Sequence, residues 1–352
     1  MPKFWGTLLI ACAVAQILFM SAGAQERSLT VTSWGGSTQE AERKAFFQPY
    51  QEKTGIIVRE DSWRSEMGKI RAMVEAKAVT WDLVVADYAH AIEGCEQGLL
   101  VPIPADVVGD KNDYLKGMLH ECGVGIDVFA YVFAYDESRV PKEWGSDRPK
   151  TIKDIWDVKR FPGKRGFRKD AKRTLEQALM ADDVPPAEVY KVLATPEGLK
   201  RALAKLDQIR EHSIFWQSMA QAPQLLADGE VTIVTAPNSR IESAIKEGRN
   251  FKVIWDGQLF AGNIVIVPKG PKASEAFALL KYILQPDVLW RQTQYIPYAP
   301  SRFSAQKNVD EKVLIRLPTH PDNLKNSLSS NEEFWADNYQ EYLRVFNNWL
   351  AK

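Results

Sequence analysis

Between residues 28 and 87 the chain switches repeatedly between two periodicities, and that alternation restricts the fold more than any other feature. Leu29-Thr-Val-Thr-Ser-Trp34 is rich in β-branched residues, Gly35-Gly36 breaks it, and a helical pattern follows with Phe46, Phe47 and Tyr50 on one face. Gly55 ends that helix and residues 55–60 read as a second strand. Residues 65–78 then set Met67, Ile70, Met73 and Val74 at helical spacing, and residues 82–87 form an apolar third strand. A βαβαβ run of this kind requires a mostly parallel, doubly wound sheet with helices against its faces. Ser37-Thr-Gln-Glu40 has capping-box spacing, which predicts a helix beginning at Thr38, and Pro49 predicts a bent or shortened last turn.

The segment before this run reads as an export leader. Lys3 is a short positive start, residues 4–20 are almost wholly apolar, and Ala22-Gly23-Ala24 is a small-x-small cleavage pattern, so residues 1–24 are expected to be removed. An uncleaved anchor or a lipid-bearing Cys12 is the alternative. Export leaves Cys95 and Cys122 as an even pair in an oxidising compartment, which predicts a disulfide rather than two separate buried thiols. The charge balance of 45 basic to 45 acidic residues argues against nucleic acid as a partner.

Past residue 120 the alternation resumes. Strands are expected at 127–135, 165–168, 214–217, 231–235, 251–255 and 263–267, with helices at 174–181, 196–210, 221–228 and 239–247. Residues 331–350 carry Phe334, Trp335, Tyr342, Phe346, Trp349 and Leu350 on one broad helical face that should dock on the body. So many strands exceed one small sheet. About 330 residues suit two lobes of roughly 150 each, taken as 27–131 with 258–303, and 132–257 with 304–352. The absence of a Pro- or Ser-rich linker implies strand-like crossings between them.

Catalytic patterns are missing. There is no Gly-x-Ser-x-Gly, no phosphate loop, no Cys-x-x-Cys and no His-Glu-x-x-His, and His90, His120, His212 and His320 lie far apart in sequence. No catalytic residue, cofactor or metal is therefore assigned. A nucleophile assembled in space stays open, because triads are spatial.

Thr32-Ser-Trp34-Gly-Gly-Ser, Thr54-Gly-Ile-Ile-Val, Trp81-Asp-Leu-Val-Val, Gly94-Cys-Glu-Gln-Gly-Leu-Leu, Lys150-Thr-Ile-Lys-Asp-Ile-Trp-Asp157 and Leu225-Leu-Ala-Asp-Gly-Glu230 occur in an order and spacing that resembles the solute-binding proteins of ABC importers, above all the spermidine/putrescine-binding group. Val267-Pro-Lys-Gly270 and Tyr295-Ile-Pro-Tyr-Ala-Pro300 extend the likeness almost to the C-terminus. The resemblance implies a type II-like periplasmic binding protein fold of two α/β lobes with mixed, mostly parallel sheets and a hinge. It also implies a monomer that captures a small organic solute in the periplasm, delivers it to an inner-membrane ABC permease, and is not an enzyme. An exported enzyme on the same scaffold is the rival from another class.

Ligand positions follow from that resemblance one residue at a time. Trp34, with Gly35, Gly36 and Ser37, falls where the family sets an aromatic against the ligand, or else is a packing residue at a strand end. Asp87 matches a polar pocket position, or else is a helix N-cap. Tyr298 matches a pocket tyrosine, or else packs in the core. Elsewhere the chain departs from the polyamine pattern: Pro237-Asn238-Ser239-Arg240 replaces a Trp-Asn-Gly segment, Ala261-Gly-Asn263 replaces a Trp-x-Asp, and Asp170-Ala-Lys-Arg173, with Glu176 one turn on, stands near the second lobe's acid. Trp216 ends another strand before Gln217-Ser218, which predicts a second aromatic mouth facing Trp34.

Magnitudes weigh on the ligand. A desolvated ammonium without a carboxylate costs several kcal/mol, whereas a facing Trp returns only about 1–2 kcal/mol. A polyamine or related amine is the solute that the resemblance implies, and it would need acids such as Asp87, Glu121, Glu176 or Asp256. The alternative is a carboxylate- or phosphate-bearing solute held by Arg173 and Arg240, or else Arg240 is a solvated residue at a helix start and the 164–173 cluster an exposed basic surface.

Overall fold

A computed structural model describes residues 27–352; the expected leader, with Cys12 and Ala22-Gly23-Ala24, lies outside the described residues. Eleven strands form one sheet: β1 Ser28–Ser33, β2 Ile57–Ser62, β3 Leu83–Asp87, β4 Leu119–His120, β5 Gly123–Asp136, β6 Arg165–Arg168, β7 Ser213–Trp216, β8 Ile233–Pro237, β9 Phe251–Ile266, β10 Ala299–Pro300 and β11 Leu328–Ser329. The main order is β2-β1-β3-β9-β5-β8-β6-β7. β1 runs parallel to β2 and β3 on one flank, and β6 runs parallel to β7 and β8 on the other. Between the flanks, β5 and β9 are antiparallel to each other and to their outer neighbours.

The two flanks are therefore joined by shared strands. Residues 251–255 and all but the last of 263–267, expected as separate strands, belong to one 16-residue strand, β9. Asp256-Gly257-Gln258 looks like a break because it is polar, yet the Asp256 carboxylate and the Gln258 amide nitrogen find partners in distant segments. Asp256 accepts from the Ile152 N–H and from Asn326 Nδ2, and Gln258 Nε2 donates to the carbonyls of Pro318 and Asn323. Gly257, at φ 78°, absorbs the bend between them.

The first helix also starts differently from its sequence signal. Gly35 and Gly36 adopt φ of 72° and 58°, which lets helix begin at Gly36 instead of Thr38. No capping box forms: Glu40 takes the Lys44 ammonium at 2.7 Å, and the Gly35 N–H donates to Gln39 Oε1 at 3.0 Å. Pro49 does not end the helix. A π-turn at Arg43–Phe47 precedes it, and Pro49 sits in the first turn of Gln48–Thr54, where no helical N–H is needed.

Apolar side chains pack in three groups against the sheet. The group of Trp63, Met67, Ile70 and Trp81 lies beside Cys122, which is bonded to Cys95. The helix Glu332–Leu350 buries Trp335, Tyr342, Phe346 and Trp349 as its sequence predicts. Trp349 Nε1 donates to Asp207 at 2.7 Å and the Tyr342 hydroxyl to the Leu193 carbonyl at 2.6 Å, so the aromatic tips stay paired.

Candidate functional site

In parallel strands with helices on their faces, the carboxyl ends open toward the helix N-termini, and that edge is where such folds take ligands. Four of these ends converge here on one cavity of about 890 Å³. β1 delivers Trp34 to Thr38, β3 delivers Asp87, β6 delivers Arg168 to Arg173, and β8 delivers Pro237 to Arg240. Phe129 and Tyr131, two residues apart on β5, line the floor with Tyr298 and Asn263. Trp335 and Tyr339 from the C-terminal helix close one side.

Trp34 is held on three sides. Its indole stacks on Trp63 at 5.7 Å and 20°, lies 6.4 Å from His90, and donates to Asn263 Oδ1 at 2.9 Å. Asp87 is the N-cap residue of the helix Tyr88–Glu96 and also lines the cavity. Its N–H donates to His90 Nδ1 at 3.1 Å, and burial lowers the affinity of His90 for a proton.

Arg173 is presented by an unusual backbone. Asp170 caps the Lys172 N–H at 3.2 Å, Arg173 then adopts φ 80° and ψ −42°, and regular helix resumes after it. That conformation is strained for any residue but glycine. The Arg173 N–H donates to Glu176 Oε2 at 2.6 Å, and its guanidinium lies 4.2 Å from the Tyr131 ring centroid. Burial would pull a proton off this guanidinium, but Tyr131, Glu332, Asp170 and Asp87 outweigh it and hold the group cationic.

Three expected site residues lie elsewhere. Glu176 is fully buried behind the wall, where it accepts from Trp335 Nε1 at 2.7 Å and from the Tyr190 hydroxyl at 3.2 Å, and burial pushes its carboxyl up to about 7. Trp216 is 2% exposed in the apolar group that also holds Ala222 and Leu226; Met219, three residues on, reaches the cavity instead. Asn238 is a stitch beneath the floor, accepting from the Ala130 N–H at 3.1 Å and donating to the Pro297 carbonyl at 2.7 Å. The aromatic expected opposite Trp34 is therefore not Trp216. Trp335 and Tyr131 supply that surface, and only the spacing of Phe129 and Tyr131 on one strand face hinted at either.

Charge on the wall is uneven. Arg168, Lys172, Arg173, Arg240 and Lys246 face the cavity against Asp87, Asp170 and Glu332. Lys172 is paired with Glu332 at 2.6 Å and Arg168 with Asp170 at 3.5 Å. Among the described residues, Arg173, Arg240, Lys246 and Asp87 form no ion pair. Of the four acids that could have served a polyamine, only Asp87 is on the wall, since Asp256 is occupied on β9 and Glu121 is absent from the lining.

Comparison with known proteins agrees with this architecture. A gamma-aminobutyric acid-binding protein of Pseudomonas aeruginosa is 39% identical over 336 residues, which are 94% of this chain and 93% of that protein. An ABC transporter substrate-binding protein from Bradyrhizobium japonicum superposes with a TM-score of 0.81 at 28% identity, over 92% of this chain and 99% of that one. A solved GABA receptor gives a TM-score of 0.79 at 29% identity, over 93% and 98% of the two chains. The sequence model of the bacterial extracellular solute-binding proteins matches residues 45–319, and with strand ends from both flanks opening on one large cavity, the chain belongs to that family, the solute receptors of ABC transporters.

Proposed function

We propose that this receptor captures a small ω-amino acid of the GABA type and passes it intact to an inner-membrane ABC permease. The observation that carries the reading is that the cavity keeps unpaired charge of both signs, Asp87 on the β3 flank and Arg173 with Arg240 on the other. A zwitterion satisfies both. Arg173 offers a two-pronged donor to a carboxylate, while Asp87 and the Trp34 face suit an ammonium and its methylene chain. The relative that binds gamma-aminobutyric acid supports the same choice. A polyamine is disfavoured, because a second ammonium would face a wall with five cationic residues and three acidic ones, two of those acids already paired.

In this reading the leader at residues 1–24 is cleaved, the mature monomer works in the periplasm, and residues 27–131 with 258–303 close on 132–257 with 304–352 about β5 and β9. Calorimetric titration with GABA, putrescine and succinate tests it. GABA alone should bind and be recovered unchanged; tighter binding of putrescine or succinate refutes the zwitterion reading, and turnover of GABA refutes the receptor role. Asp87→Asn should weaken GABA by about tenfold or more, the loss of one partner of a desolvated charge pair.

A further inference from the structure

Asp127 stands behind the cavity wall, 1% exposed, and the solute site as described makes no use of it. A β-bulge places it there. On β5 and β9, Gly125 is opposite Ile264 and Asp127 is opposite Asn263, so Ile126 is an extra residue without a partner. That one-residue insertion turns Asp127 to the same face as Asn263, where an uninterrupted ladder would turn it away.

The resulting contacts form a chain that ends on the cavity wall. Asn263 Nδ2 donates to Asp127 Oδ1 at 2.8 Å, the Asn263 main-chain N–H approaches the same oxygen at 3.4 Å, and Gln292 Nε2 donates to Oδ2 at 3.0 Å. On its other side Asn263 Oδ1 accepts the Trp34 indole N–H at 2.9 Å. Asn263 and Gln292 are 4% and 1% exposed, so bulk water does not compete for these groups.

We propose that Asp127 is a positioning residue for the solute site: as an acceptor-only carboxylate it fixes which way the Asn263 amide points, and through that amide it sets the plane of the Trp34 indole. The two ends of an amide differ, and only one orientation satisfies both neighbours. Reversing it sets the Asn263 NH₂ against the Trp34 N–H, two donors facing, and sets its oxygen against a carboxylate oxygen, two acceptors facing. Among the described residues the Trp34 indole has no other hydrogen-bond acceptor, so its tilt against Trp63 follows the amide.

The acid also changes charge in a useful range. Burial pushes Asp127 up to about 7, against the opposing pull of its Asn263 and Gln292 hydrogen bonds. The ionisable groups that face it are Glu42, from the helix Gly36–Glu42, and Tyr298, from the segment before β10. Burial holds Glu42 toward its neutral form and pushes Tyr298 up to about 12.

This inference rests on Trp34 forming a wall of the solute site, so its test includes an arm without solute. The ¹⁵N-labelled full chain is observed by NMR through the indole N–H of Trp34, assigned with Trp34→Phe, from about pH 5.5 to 8.5. Asp127→Asn keeps the size of the side chain but must point an NH₂ at one of its two donors. In the wild type the Trp34 resonance should titrate, and in Asp127→Asn it should be shifted and flat, while Trp144, bonded to the Pro162 carbonyl, stays fixed in both. GABA affinity of the variant should fall about tenfold, equivalent to ~1.4 kcal/mol. A Trp34 resonance that does not titrate in the wild type, or that titrates equally in Asp127→Asn, overturns the proposal; if that variant does not fold, the titration repeated in His90→Gln, which removes the imidazole 6.4 Å from Trp34, decides. A titrating Trp34 in a protein that binds no GABA supports the positioning role and counts against the GABA reading only.

Discussion

Replacing Arg173 by alanine and by glycine separates what its side chain does from what its backbone costs. Both changes remove the guanidinium, and both keep the main-chain N–H that donates to Glu176 at 2.6 Å. Losing one partner of a desolvated charge pair costs about 2–5 kcal/mol, so GABA should bind roughly 30-fold to several thousandfold more weakly in either variant. Stability should divide them. Both variants forgo the packing of the guanidinium over the Tyr131 ring at 4.2 Å, worth about 1 kcal/mol. Only glycine relieves the φ 80°, ψ −42° conformation, a strain of about 1–3 kcal/mol offset by the ~0.5–1 kcal/mol entropy that glycine loses on folding. Arg173→Gly should therefore be more stable than Arg173→Ala by about 1 kcal/mol in urea unfolding, with calorimetric titration giving the affinities. Equal unfolding midpoints would contradict the strain argument. GABA binding within about threefold of the parent in either variant would remove Arg173 as the carboxylate anchor.

Other consequences follow from single features. Replacing Cys95 and Cys122 by serine opens a loop with a sequence separation of 27 and should cost about 3–4 kcal/mol in urea unfolding on the loop-entropy estimate. Glu176 is pushed up to about 7 by burial, from 4.5; a raised carboxyl stabilises the fold most below its unfolded value, and that contribution is lost as pH rises toward 7. Stability of the parent should thus fall by on the order of 3 kcal/mol between about pH 4.5 and 7 from this group, and Glu176→Gln should flatten that part of the curve. Gly262→Ala should destabilise by about 2–4 kcal/mol, because a Cβ there would meet the Asp127 carbonyl at 2.6 Å as well as the Met118 sulfur; an unchanged melting temperature would show that β5 and β9 can part at no cost.

The alternation of strand and helix was legible because each periodicity is local, and so was the helix at the C-terminus with its stripe of Trp335, Tyr342, Phe346 and Trp349. The union of residues 251–266 in one strand was not, because the partners of Asp256 and Gln258 come from residues 152 and 318–326. The same division holds for the cavity. Trp34, Asp87, Arg173 and Arg240 each follow the end of a parallel strand, a position that sequence can locate. Glu176, Trp216 and Asn238 lie only a few residues from such ends but turn inward, and the turn is decided by packing against Trp335, the helix after β7 and Pro297. Tyr131 and Trp335 were missed because their proximity to Trp34 depends on the whole sheet being assembled. The capping signal at Ser37 failed for a local reason, since two consecutive glycines at positive φ move the start of the helix.

The two strands shared between the flanks also bear on how a receptor of this design can change over generations. Because the chain passes from one flank to the other along β5 and returns along β9, the wall carrying Trp34 and Asp87 is completed by Asn263, Tyr295 and Tyr298, encoded beyond Arg168, Arg173 and Arg240 of the opposite wall, which is itself completed later still by Trp335 and Tyr339. A single recombination breakpoint in the gene would therefore mismatch the two halves of one wall instead of exchanging it. New solute preferences on this scaffold are more readily reached by point substitution at the strand ends, where Asp87, Arg173 and Arg240 can each be altered without disturbing the ladder that holds them.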